Sequence, residues 1–190
     1  MAVSNVAIAN GALSRLGEPR IESLTQSGNS NARTMNAAFE RCRDQLLRKY
    51  PWSFALKRAS IAADSDQSTW GEWNRYSLPA DYIRLLRDDE SGQQVDWRIE
   101  GQYVLSYDAS PLQFRYIARI EDPNYFDACF VELFEIALAM AVCKEVTGSN
   151  SHKESLRQDY KEAMAEAKQM GAFEKEASEF PEDSWIAARR

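Results

Sequence analysis

The chain has 190 residues, 44% of them hydrophobic and 27% charged, which suits one domain, or one core with a smaller insertion, able to bury about 70% of its unfolded surface. A formal net charge of -6 argues against a protein that coats nucleic acid by neutralising phosphates. Cys42, Cys129 and Cys143 are odd in number and scattered among apolar or helix-forming residues, so they predict buried, reduced thiols in place of a disulfide framework.

Residues Met1 to Asn5 lack a charged region followed by an apolar one, which predicts no signal peptide. The longest apolar run, Ile136 to Cys143, falls far short of the ~20 residues that span a bilayer. The expectation is a soluble cytosolic protein with no membrane partner.

In chain order, Ser4 is the first N-cap candidate, and Val6, Ala9, Leu13 and Leu16 follow at helical spacing until Gly17-Glu18-Pro19 ends the segment. Residues 21–31 are rich in Ser, Asn and Gly and read as a loop into a second helix capped near Asn29 or Ser30. In that helix Met35, Phe39, Cys42 and Leu46 make an apolar face opposite Glu40, Arg41, Arg43 and Asp44.

Pro51 removes a backbone donor and disfavours a helical Tyr50, so the helix stops by Lys49. Trp52, Phe54 and Leu56 then alternate with strand period. Tyr50, Pro51, Trp52 and Phe54 therefore form a predicted structural corner between helix and strand.

From Trp70 to Ile120 the pattern is β, with four or five strands counted and runs at residues 82–86, 95–99, 103–107 and 112–117. The runs flanking Gly101 give a hairpin signal. Asp122-Pro123 is a helix-start signal, and Cys129 to Val146 is apolar on nearly every side, predicting the most buried helix, closed by Gly148. Ser151 to Glu154 has the form of a capping box, and Leu156, Tyr160, Ala163, Ala167 and Met170 stripe a charged helix that Gly171 closes. Beyond it, Phe173, Phe180, Trp185 and Ile186, with the terminal Arg189 and Arg190, lie in a charged tail that has no core of its own but holds partner-binding anchors.

These elements predict an α+β fold. Residues 1–50 and 121–172 form an antiparallel bundle of about four helices, residues 51–120 a β-rich insertion between the second and third helices, and residues 173–190 an extended docking tail.

Chemistry is sparse. His152 is the only histidine and sits in the predicted cap of a surface helix, which favours a solvated role over a triad or a zinc ligand set. No phosphate-cradling glycine loop is present, so no cofactor or metal is expected. Glu132 and Glu135, three apart on the most apolar helix, could pair for acid–base chemistry on glycans, or mark that helix's polar edge. Trp70, Trp73 and Tyr76 with Arg75 could stack on sugars or bases, or be a buried edge of the β segment.

The segment Ala12 to Leu24, the helix and corner Ala32 to Ala55, and Arg75 to Leu86 resemble the tail tubular protein A, or head-to-tail adaptor (connector), family of short-tailed bacteriophages. The motifs that carry the resemblance are Leu16-Gly17-Glu18-Pro19, the aromatic pair Trp52 and Phe54, and Leu78-Pro79-Ala80-Asp81-Tyr82-Ile83-Arg84. It implies a non-enzymatic virion protein of the tail neck, assembled as a ring, usually a dodecamer. The ring would sit between the portal protein and a tail nozzle resembling tail tubular protein B, and double-stranded DNA would pass through it on ejection without specific binding.

An acidic wall suits such a conduit because like charge disfavours adhesion. Two other readings stand beside it: a virion-associated glycan-degrading enzyme using Glu132 and Glu135, and a non-viral, acidic protein-interaction module.

Overall fold

The computed structural model describes residues 3–65, 73–86, 97–108 and 110–173. These contain helices α1 (Asn5–Arg15), α2 (Ser30–Lys49), α3 (Ala128–Thr147) and α4 (Lys153–Phe173). They also contain strands β1 (Leu56–Ile61), β2 (Asn74–Ser77), β3 (Tyr82–Leu85), β4 (Trp97–Glu100), β5 (Tyr103–Ser106) and β6 (Leu112–Ala118). The fold is mixed helix and sheet, with two antiparallel three-stranded sheets in the orders β1-β6-β3 and β2-β5-β4.

Local chemistry sets the helix ends. Ser4 Oγ accepts from Ala7 N–H at 3.1 Å and Asn29 Oδ1 from Ala32 N–H at 3.2 Å, each satisfying a donor that helical bonding leaves open. The Leu-Gly-Glu-Pro motif is a Schellman stop: Gly17 takes φ 73°, its N–H donates to Ser14 O at 3.1 Å, and Glu18 N–H donates to Leu13 O at 3.0 Å. The loop that follows is held by Asn10, whose amide bonds Ile21 N–H and O at 2.8 and 2.9 Å.

Helix α3 is the centre of the helical core. It packs against α1, α2 and α4, and Phe130, Leu133, Phe134, Ile136, Leu138, Ala139, Val142 and Cys143 are all buried along it. Gly148 ends it in the left-handed conformation, as the sequence predicts.

Several boundaries differ from the sequence reading. Asp122-Pro123 starts a 3-10 turn, Pro123–Tyr125, and α3 begins after it, where the Asp127 side chain accepts from Cys129 N–H at 2.8 Å. Glu154 makes no capping box with Ser151; its carboxylate pairs with Arg157 at 3.2 Å. Gly171 does not close α4, which continues to Phe173. The strand after the corner starts at Leu56, because Ser53–Ala55 coil into a 3-10 turn. Of the six described strands, β2–β6 fall between Trp70 and Ile120, β2 at a stretch where the sequence reading names no run, and Val95 and Asp96 of the predicted run at 95–99 lie outside the described residues.

A second core lies between the sheets, formed by Tyr76, Leu85, Val104, Leu112, Phe114, Tyr116 and Ala118. Strand β6 serves both cores, since Ile117 belongs to the helical one. In β3 the register shifts between Tyr82 and Arg84. This bulge changes the strict alternation, so Ile83 and Leu86 meet the helical core while Tyr82 and Leu85 meet the sheet core.

Polar links complete the joint. Arg48 Nη1 on α2 donates to Ile83 O at 2.6 Å, and Arg119 Nε, just after β6, pairs with Asp44 of α2 at 2.9 Å. Asp81 ties all three strands of the first sheet: it takes Lys57 Nζ at 2.7 Å and Tyr116 Oη at 2.9 Å, and its carbonyl accepts Arg119 N–H at 2.6 Å.

Burial raises the pKa of Asp81, but the hydrogen bonds from Lys57 and Tyr116 and the Lys57 charge outweigh it, so the carboxyl sits below its ordinary value. Burial and the bond to Asp81 push the Tyr116 phenol from 10.0 up to about 12. Tyr116 therefore binds its proton more tightly folded than unfolded. Its contribution to stability is whole below pH 10 and is lost as pH rises to about 12. Asp81 works in the other direction: its contribution holds above the unfolded carboxylate value and disappears as pH falls through the lowered folded one. Tyr116→Phe should lower the melting temperature at neutral pH and flatten its decline across that alkaline window. Parallel declines in parent and variant, followed by circular dichroism, would refute the role given to this phenol.

Candidate functional site

The corner begins where α2 ends. Tyr50 leaves the helix in an extended conformation with φ -137° and ψ 145°, and Pro51 has no N–H to offer the carbonyl of Leu47. Trp52 folds back so that its indole N–H donates to Leu46 O at 3.1 Å, capping one of the carbonyls freed at the helix end. The ring itself is only 4% exposed.

Its neighbours are a ladder on and just before α3, formed by Phe126, Phe130 and Phe134. Trp52 meets Phe130 edge-on at 5.1 Å, and Phe54 meets Phe130 at 5.1 Å and Phe126 at 5.7 Å. Phe134 carries the contact through to Phe39 of α2 at 4.7 Å. Such pairs add about 0.5–1.5 kcal/mol each beyond area burial. The 3-10 turn allows both Trp52 and Phe54 to reach the same ladder, and Ala55 beneath them is fully buried.

Tyr50 packs edge-on against Trp52 at 5.1 Å, and its hydroxyl occupies the space beside Gly171 that a side chain would need. Gly171 thus serves a close approach inside α4. A cleft of ≈ 350 Å³ opens beside this contact, bordered by Pro51, Ser53, Asp127, Cys129 and Met170. Met170 is 59% exposed there, and Tyr125, close by in sequence to Asp127 and Cys129, is 68% exposed. Both are large apolar side chains exposed on the helical part.

Helix α2 ends at Lys49, where the sequence reading stops it, but that reading misses the receptor of Trp52 and Phe54, although Phe126, Phe130 and Phe134 recur every four residues. Phe173 is the last residue of α4, while Phe180, Trp185, Ile186, Arg189 and Arg190 lie outside the described residues.

Glu132 and Glu135 do come together, on Arg15: Arg15 Nη2 is 3.6 Å from Glu132 and Nε 3.5 Å from Glu135. Burial raises the Glu135 pKa against the opposing pull of Arg15. The absent side chain of Gly11 makes room for the Glu135 carboxyl, so the pair links α3 to α1.

The proposed stacking platform is divided by the strand pleat. Tyr76 is fully buried and its hydroxyl donates to Asp108 O at 2.8 Å. Trp73 stacks on Tyr107 at 3.9 Å with Arg98 above it at 4.8 Å, and Arg75 lies over Tyr103 at 4.5 Å. Trp70 lies outside the described residues. Tyr107 is 59% and Ile99 40% exposed on the second sheet, where the register places Ile99 on the face of Val104 and Tyr103 on the opposite one.

Cys42 and Cys143 are buried, as expected, but Cys129 is half-exposed at the start of α3. Burial, then the Asp127 charge beside it, raises the Cys129 thiol pKa, which makes it a poor nucleophile. His152 is exposed in the turn before α4. Among the described residues no group of His, Cys, Asp and Glu is arranged to hold a metal ion, and no helix is long and apolar enough to cross a membrane.

In comparisons with known proteins, no family model and no curated protein matched the chain.

Trp52→Ala removes a buried ring together with a helix cap, and should cost about 3 to 5 kcal/mol in urea unfolding. Trp52→Phe keeps most of the packing but leaves Leu46 O without its donor, and should cost roughly 1 kcal/mol from that bond plus any repacking loss. A cost below about 1 kcal/mol for the alanine variant would contradict the central position given to this ring.

Proposed function

We propose that this protein is a structural head-to-tail adaptor of a short-tailed bacteriophage, forming a ring between the portal and the tail nozzle through which DNA leaves the capsid. In this reading the four helices are an antiparallel bundle that meets neighbouring subunits and the portal, and the sheets point toward the tail. The ring is a dodecamer in the virion neck.

The observation that carries the reading is the pairing of a packed helix–sheet joint with large apolar side chains exposed on both the helical part and the second sheet. A closed ring is built from head-to-tail contacts, so each subunit must present two different faces at a fixed angle. Tyr125 and Met170 are exposed on the helical part, and Tyr107, Tyr103 and Ile99 on the second sheet, the last two on opposite faces. The ladder around Trp52, the Asp81 tie and the Arg48 and Arg119 links fix the first sheet on the helices, and the core of Tyr76, Leu85, Val104 and Phe114 fixes the second sheet on the first.

Charge supports a conduit. A subunit of net charge -6 repels the phosphates that must slide past it, so DNA passes without adhering. Glu132 and Glu135 favour the adaptor over the hydrolase, because both engage a single guanidinium across the α1–α3 contact, as a packing link does. The reading assigns no catalytic residue, cofactor or metal.

Residues 173–190 supply the portal contact in this account. The full chain should co-sediment with portal rings from the same virus, and a chain ending before Phe173 should fold, stay monomeric and fail to co-sediment. Full-length protein that ignores the portal would overturn the adaptor reading; a shortened chain that binds as well as the parent would remove the tail's role.

A further inference from the structure

A groove of ≈ 470 Å³ runs between the C-terminal half of α2 and the N-terminal half of α4, over α3. Its floor is apolar, with Leu46, Ala137 and Met140 among the lining residues. Its rim carries Lys49, Lys153, Arg157 and Lys161, and among the described residues no Asp or Glu lines it. Lys49 is held in place by Tyr160, whose hydroxyl accepts its ammonium at 3.1 Å and whose ring lies 4.6 Å beneath it. Arg157 shares its charge with Glu154 at 3.2 Å, a pair in which both side chains are more than half exposed and therefore weak. Four cations around an apolar floor stand out in a chain of net charge -6.

The complementary chemistry occurs later in the same chain. Residues 176–186 hold Glu176, Glu179, Glu182 and Asp183, no Lys or Arg, and the apolar anchors Phe180, Trp185 and Ile186. We propose that the groove between α2 and α4 is the docking site for residues 176–186 of the same chain, with the carboxylates against the lysine and arginine rim and the aromatic anchors on the apolar floor.

The lengths fit. Along α4, Phe173 lies about 18 Å past Lys161 at 1.5 Å per residue. The seven residues from Phe173 to Phe180 span up to about 23 Å when extended. A tail that doubles back along α4 thus brings Phe180 beside Lys161, and the next five residues, at up to ~16 Å, carry Trp185 toward Arg157 and Lys153. Tethering makes the chain's own segment the favoured occupant, since a short flexible link gives an effective concentration in the millimolar range. The inference goes beyond the adaptor reading and does not depend on it, because it concerns one chain with no portal present.

The test uses the full chain. Equal amounts of isotopically light and heavy protein are mixed and treated with a carbodiimide, which joins a carboxylate to a lysine in contact with it, and the products are mapped by mass spectrometry. Glu179, Glu182 and Asp183 should join Lys49, Lys153 and Lys161, within light or within heavy chains only. Hydrogen exchange of residues 176–186 should be several-fold faster in the Lys153→Glu, Lys161→Glu double variant, whose changes fall on exposed positions of α4 and leave its helical circular dichroism intact. Mixed light–heavy products in the groove would place a second copy there and overturn the proposal. So would tail carboxylates joined to Lys57, Lys144 and Lys168 as often as to the groove lysines, or exchange that the double variant leaves unchanged.

Discussion

The indole of Trp52 is fixed from two sides, by a hydrogen bond to Leu46 O at the end of α2 and by the edge of Phe130 on α3. Pro51 is what makes this possible. By ending the helix without offering an N–H, it leaves carbonyls that need a donor and directs the next residues across the Phe126–Phe130–Phe134 ladder. Entry into β1 is decided there, so the position of the first sheet against the helices follows from one ring and its seat.

Polar contacts then hold what packing orients. Asp81 gathers β1, β3 and β6 through Lys57, Tyr116 and the Arg119 amide, and Arg48 and Asp44 bind that sheet back to α2. The bulge at Ile83 breaks the period-two alternation of β3, so that Ile83 and Leu86, three apart, both meet the helical core while Tyr82 and Leu85 meet the sheet core. The second sheet is joined to the rest through the Tyr76 and Phe114 core, so a force on its outer face is passed to the helices through side chains instead of a flexible linker.

Much of this was legible in the sequence because it rests on local rules. Ser4, Asn29, Gly17 and Gly148 act at the helix ends their chemistry predicts, and the hairpin at Gly101 pairs Glu100 with Tyr103. What the sequence hid depends on partners distant in the chain. Trp52, Phe54 and Leu56 alternate as a strand would, but the pull of Phe130 on both rings favours a turn first. Gly171 reads as a stop until Tyr50, 121 positions earlier, is seen to fill the space beside it. Glu132 and Glu135 read as a candidate acid pair, and only Arg15 on another helix shows the contact they share. The motif around Asp81 is visible as a pattern, whereas its three partners come from β1, β6 and the residue beyond.

In the proposed adaptor, two different faces held at a set angle would close copies of the chain into a ring of uniform curvature. Electron microscopy of the purified full chain, alone at high concentration and with portal added, with solution mass measured alongside, examines that consequence most directly. The account predicts rings with a central hole, formed spontaneously or on the portal. Monomers under both conditions would contradict it.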